Sequence, residues 1–304
     1  MIRHTRLHLN LLLATAWCVA TGANAQAPAP TYADVAYGEH PRNRLDFWKA
    51  TSTRPAPVIV FIHGGGFRAG DKAKVRETPI VGQSLSAGIS FAAINYRFLE
   101  HAPIQDILRD AARAIQFLRR RAPEWNIDKK RVAAFGGSAG AGASLWLAFH
   151  DDLADPSNPD PVLRESSRLA AAAATATQFS YDILQWEQVL GLPAERFQDF
   201  NPAMYGLSKR EDLDSLAGRK IRADVDMRGL ITPDDPPVFL VSPQKGGVPA
   251  SKGEINHHPN HAVAIKERCD KLGVKAVLWI PGVDGKRPPP DGLFQFLRDH
   301  LKSP

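Results

Sequence analysis

Residues 132–144 read Val132-Ala133-Ala134-Phe135-Gly136-Gly137-Ser138-Ala139-Gly140-Ala141-Gly142-Ala143-Ser144. Val132 to Phe135 is a short apolar run of the length of a buried parallel strand. From Ala143 to Phe149 the chain is rich in small and apolar residues and reads as a helix. A strand, a sharp turn and a helix with serine at the apex form the nucleophile elbow, G-x-S-x-G. The strained turn lifts the serine hydroxyl above the sheet edge, and glycines flank it where strand and helix pass closely. The helix start then aims free N–H groups and a positive dipole end at developing negative charge. A bare G-x-S-x-G turns up by chance in about one chain in ten of this length, so the flanking strand and helix carry the reading.

A second stretch supports it. Val58-Ile59-Val60-Phe61-Ile62-His63-Gly64-Gly65-Gly66-Phe67 is a strand running into His-Gly-Gly-Gly. Backbone N–H groups of such a loop can approach a substrate oxygen closely, because glycine presents no side chain. His63 precedes the loop and reads as its anchor rather than as a base. Together the two motifs resemble the α/β-hydrolase family, in its bacterial feruloyl-esterase-like and hormone-sensitive-lipase-like carboxylesterase branch. The resemblance covers most of the chain. It implies an α/β fold with a mostly parallel central sheet and helices on both faces. It implies Ser138 as nucleophile, with Gly65, Gly66 and Ala139 N–H groups as the oxyanion hole. It also implies a small-molecule ester substrate, carbohydrate-linked by analogy with that branch. No metal or organic cofactor is implied.

Outward from these motifs, strand and helix signals alternate. Thr31–Tyr37 and Arg44–Lys49 read as paired antiparallel strands, Ile89–Tyr96 as a parallel strand, and 104–118 as an amphipathic crossover helix. Pro236–Val241, Pro259–Leu272, Val274–Ile280 and Asp291–Leu301 read as strand, helix, strand and closing helix. The segment from about 178 to 234 has weak periodicity and is either a cap-like insertion or an irregular excursion.

The N-terminus carries Arg3, His4 and Arg6, then an apolar run from Leu9 to Ala20 and Ala23-Asn24-Ala25. That is a cleavable signal peptide over 1–25, which predicts a secreted or periplasmic domain over 26–304 with no membrane anchor. Trp17 before Cys18 is too bulky for a lipoprotein signal. Cleavage lowers the net charge from +6 to +4. The charge is diffuse and argues against nucleic-acid binding; Arg119-Arg120-Arg121 ends a helix, where cations are favoured.

The C-terminal third departs from the family pattern. The fold places serine, acid and histidine in that chain order. The loop after Val241 contains one carboxylate, Glu254, the candidate acid. The loop after Ile280 has Asp284-Gly285 where the family has His-Gly. A histidine of 254–261 is the candidate substitute base, His258 first and His257 as its rival, with Asp284 the remaining alternative. His-His-x-x-His lacks a convergent carboxylate and is a poor zinc pattern. Two readings stay open: an esterase with a displaced base, or a degenerate scaffold that binds an ester or carbohydrate-derived ligand with little turnover.

Overall fold

The computed structural model describes residues 27–191, 201–249, 251–280 and 292–302. Eight strands form one sheet in the order β1-β2-β4-β3-β5-β6-β7-β8. They are β1 Tyr32–Ala36, β2 Arg44–Trp48, β3 Ala56–Ile62, β4 Ser90–Ile94, β5 Ile127–Gly137, β6 Ala171–Thr175, β7 Val238–Val241 and β8 Ala276–Trp279. β1 and β2 pair antiparallel, β2 runs antiparallel to β4, and all later pairings are parallel. The helices are α1 Ile80–Ser86, α2 Ile104–Arg120, α3 Ala122–Trp125, α4 Ala139–Phe149, α5 Trp186–Leu190, α6 Leu216–Asp224, α7 Met227–Leu230, α8 Lys252–Asn256, α9 Pro259–Leu272 and α10 Gly292–His300.

Side-chain alternation along the strands divides the core in two. Val58, Val60 and Ile62 of β3 pack with Ala172 and Ala174 of β6 and with α2, α4 and α9. Ile59, Ala171 and Ala173 face the other way, toward Val81 of α1 and Leu297 of α10. Strands buried on both faces need continuous apolar sequence, which is why β3 and β6 show no polar alternation. All eleven residues of α4 are buried, as expected of a helix apolar on every side.

The parallel strands bring Ile62, Gly136 and Thr175 together at their C-terminal ends, since Ile62 pairs with Gly136 and Thr175 with Gly137. Ligand sites of open α/β sheets form at this edge.

The described parts of the 178–234 segment, 178–191 and 201–234, contain short helices, and the end of α6 docks on the elbow helix. Asp224, the last residue of α6, meets His150 just beyond α4 at 3.0 Å and Arg109 of α2 at 3.0 Å, and Trp146 Nε1 donates to the Asp224 carbonyl at 2.6 Å. Burial opposes a charge on His150, but the Asp224 hydrogen bond and charge outweigh it and raise its pKa above 6.5. A raised folded-state pKa stabilises fully below the unfolded value, and the contribution fades as pH rises through the folded one. The stability advantage of wild type over His150→Gln, from urea melts, is therefore largest below pH 6.5 and shrinks steadily above it.

Candidate active site

Ser138 sits at φ 54°, ψ −120°, between β5 and α4. Such backbone strain costs about 1–3 kcal/mol and persists only where neighbours over-determine it. Here the Ser138 N–H donates to the Thr175 carbonyl at 2.9 Å, and its own carbonyl accepts from Gly142 N–H at 3.0 Å. The glycines make room. A Cβ on Gly136 would lie 2.4 Å from the Ile62 carbonyl oxygen, and one on Gly140 only 2.0 Å from it.

Across from the elbow, the His-Gly-Gly-Gly loop turns back on itself. Gly65 has φ +114°, and its carbonyl accepts from both Arg68 and Ala69 N–H groups at 3.0 and 3.1 Å. Gly65 thus shapes the turn, whereas Gly66 and Ala139 line the cavity beside Ser138. Ala139 is the first residue of α4, so helix geometry gives its N–H no intrahelical acceptor. His63 is buried, stacks on Tyr96 with ring centroids 4.3 Å apart, and holds the Gly64 carbonyl through Nδ1 at 2.7 Å. Burial lowers its pKa to about 4, which suits a neutral anchor of the loop. Asp71 and Lys72 brace the far end: Asn95 Nδ2 donates to Asp71, and Lys72 N–H to Asn95 Oδ1.

The histidine opposite Ser138 is His257. Its Nε2 lies 2.9 Å from Ser138 Oγ. His258, expected first as the base, has both ring nitrogens committed elsewhere: Nδ1 accepts from Asn260 N–H and Nε2 contacts the Gly247 carbonyl. The cause is α8, a helix in a stretch expected from the sequence to be loop. Ser251 caps it, accepting from Glu254 N–H at 3.2 Å, so the helix runs to Asn256 and His257 closes it. His258 then caps α9, with Pro259 at that helix's first position. Ser-Lys-Gly-Glu is a capping-box pattern, and it was the signal for this arrangement.

Glu254, the expected acid, is an exposed first-turn residue of α8. It lines a groove with Gly246 and His258, separate from the cavity that holds Ser138. Asp284 lies outside the described residues. Among the described residues, no carboxylate hydrogen-bonds to the His257 ring, and burial alone lowers its pKa. The backbone just before it is held instead by two side chains that the sequence does not mark for this role. Gln178 Nε2 donates to the Asn256 carbonyl at 2.6 Å, and His261 Nε2 donates to the Ile255 carbonyl at 3.0 Å. His261 is wholly buried, and burial drives its pKa down to about 3, so it stays neutral throughout the ordinary pH range.

The cavity measures about 230 Å³. Gln178, Tyr181, Ile183, Trp186, Asn201 and Met204 of the 178–234 segment supply one side, and Phe67 and Leu99 line another. A serine hydroxyl, a neutral imidazole in hydrogen-bond range and free N–H groups beside them can carry out acyl transfer. No group of three or more histidine, cysteine or acidic side chains suited to a metal occurs among the described residues.

Residues 45–195 match the BD-FAE family model. A probable isoprenylcysteine alpha-carbonyl methylesterase of Arabidopsis thaliana is 34% identical over 139 residues, covering 45% of this chain and 29% of that protein. A probable carboxylic ester hydrolase of Mycobacterium tuberculosis is 32% identical over 145 residues, covering 43% of this chain and 33% of that one. The matches thus span about a third of these relatives' length. Among solved structures, a truncated carbohydrate esterase from gut microbiota superposes with a TM-score of 0.68 at 18% identity, over 91% of this chain and 98% of that one.

Proposed function

The chain belongs to the α/β-hydrolase family through its BD-FAE region, and from that premise we propose that it is a serine carboxylic-ester hydrolase. The observation that carries the proposal is the 2.9 Å contact between Ser138 Oγ and His257 Nε2. His257 takes the hydroxyl proton as Oγ attacks the ester carbonyl. Gly66 and Ala139 N–H groups receive the resulting oxyanion. Collapse expels the alcohol, to which His257 returns the proton, and leaves an acyl-Ser138. Water, deprotonated by the same imidazole, then releases the acid and regenerates the serine. The 178–234 segment acts as a cap that sets substrate preference, a reading supported by the six cavity residues its described parts contribute. The substrate is a small ester, and a carbohydrate-linked one fits the carbohydrate esterase among its structural neighbours. Export through residues 1–25 belongs to the same proposal, and a mature chain starting at Gln26 by mass spectrometry tests it.

One observation favours a second reading, a ligand-binding scaffold with little turnover: among the described residues His257 has no carboxylate partner. Hydrolysis of para-nitrophenyl acetate separates the two. The esterase reading predicts turnover that vanishes in Ser138→Ala. The base must be neutral to act, so the rate falls as pH drops through the His257 pKa. Burial holds that pKa below 6.5, and at pH 6.5 kcat/KM therefore stays above half its plateau. No serine-dependent turnover at any pH would support the scaffold.

A further inference from the structure

Among the described residues, the wall of the Ser138 cavity contains the cationic residues Arg68 and Lys252 and no aspartate or glutamate. From this asymmetry we infer that the cavity selects esters bearing a carboxylate, with Arg68 the residue that binds it; the inference rests on the esterase reading above and names its substrate class.

Arg68 differs from the arginines that hold the fold together. Arg97 pairs with Asp110, Arg109 with Asp224, and Arg222 with Asp182, each at 3.0 Å or closer. Arg68 is exposed and forms no ion pair among the described residues. Its position is nonetheless set by the site, because its N–H donates to the Gly65 carbonyl within the oxyanion turn. Arg68 therefore sits two residues beyond Gly66 on a braced loop, and among the described residues its guanidinium does no structural pairing. The cavity's other walls include Leu99, Ile183, Trp186 and Met204, which offer apolar contact but no competing negative charge. A cleft lined by one sign of charge with low-dielectric walls concentrates ligands of the opposite sign. A carboxylate on the substrate gains a charge-assisted, bidentate-capable partner there, whereas a neutral ester leaves Arg68 hydrated. The gain is realised near solvent, so added salt weakens it.

The test compares matched anionic and neutral esters on the full-length mature protein. Mono-para-nitrophenyl glutarate against para-nitrophenyl valerate places the carboxylate on the acyl side. Para-acetoxybenzoate against its methyl ester places it on the alcohol side. The expected result is a kcat/KM ratio favouring the anionic member by about tenfold in one of the two pairs, which identifies the side Arg68 serves. That ratio falls toward one in Arg68→Gln, is largely kept in Arg68→Lys, and declines at high salt. A ratio near one in both pairs, or a ratio unchanged in Arg68→Gln, overturns the inference. Turnover of the neutral esters tests the esterase reading separately. If neither neutral ester shows Ser138-dependent turnover, calorimetric binding to Ser138→Ala decides the anion preference. Tighter binding of para-acetoxybenzoate than of its methyl ester, lost with the added Arg68→Gln change, upholds it, and equal binding overturns it.

Discussion

His257→Ala lowers kcat/KM for ester hydrolysis by about 10⁶-fold, leaving the residual acceleration of about 10³–10⁴ over water that oxyanion donors and binding supply when a serine nucleophile has no base. His258→Ala, one residue away, leaves kcat/KM within about tenfold and instead costs about 1 kcal/mol of stability, because it removes the cap of α9. The contrast follows from geometry. His257 Nε2 lies 2.9 Å from Ser138 Oγ, whereas the two His258 nitrogens are engaged with Asn260 N–H and the Gly247 carbonyl. Steady-state kinetics and urea melts on the two variants read both quantities, and the reverse ranking of activities would return the base to His258.

Gly140→Ala destabilises the fold by about 3 kcal/mol or more, at the upper end for overpacking, or prevents folding altogether. The added Cβ would meet the Ile62 carbonyl oxygen at 2.0 Å, the Ile62 carbonyl carbon at 2.7 Å and the His63 carbonyl oxygen at 2.8 Å. All three are backbone atoms of a central strand and the loop that leaves it, so none can swing aside. The same atoms position the oxyanion turn, so any folded fraction also loses activity. Gly82→Ala in α1 is the matched control. Its Cβ meets nothing within 4 Å, and helix propensity makes it neutral or stabilising by up to about 1 kcal/mol. Thermal or urea melts check both; a Gly140→Ala protein as stable as wild type would contradict the close passage of α4 over β3.

His257 and Gly140 differ in how legible they are in the sequence. The elbow at 136–140 was legible because its physics is local: a strand, a positive-φ serine and glycines forced by contact must be adjacent in the chain. The sheet followed from apolar runs such as Val58–Ile62, which are buried on both faces. The base was harder to place. Choosing between His257 and His258 turned on one residue of register, set by the short helix 252–256 and its Ser251 cap. A helix of that length has no apolar period to read, and only the Ser-x-x-Glu cap announced it. Glu254 drew attention as the lone carboxylate of its loop, yet its placement in the first turn of α8 explains it as a helix-start residue. Gln178 and His261 were not legible as supports of His257, because their partners are the carbonyls of Asn256 and Ile255, and backbone acceptors leave no trace in sequence.

Loss of either support should loosen His257 without touching Ser138, which separates them from residues that handle the substrate. The proposed chemistry depends first on the serine itself, on activation of Ser138 by His257. Intact mass after incubation with a fluorophosphonate tests it most directly, since only an activated serine is phosphonylated rapidly and once. The expected result is a single adduct on wild type, none on Ser138→Ala, and labelling slowed by about 10²–10⁴-fold on His257→Ala but little changed on His258→Ala. Labelling of Ser138 at the wild-type rate in His257→Ala, on folded protein, would contradict it.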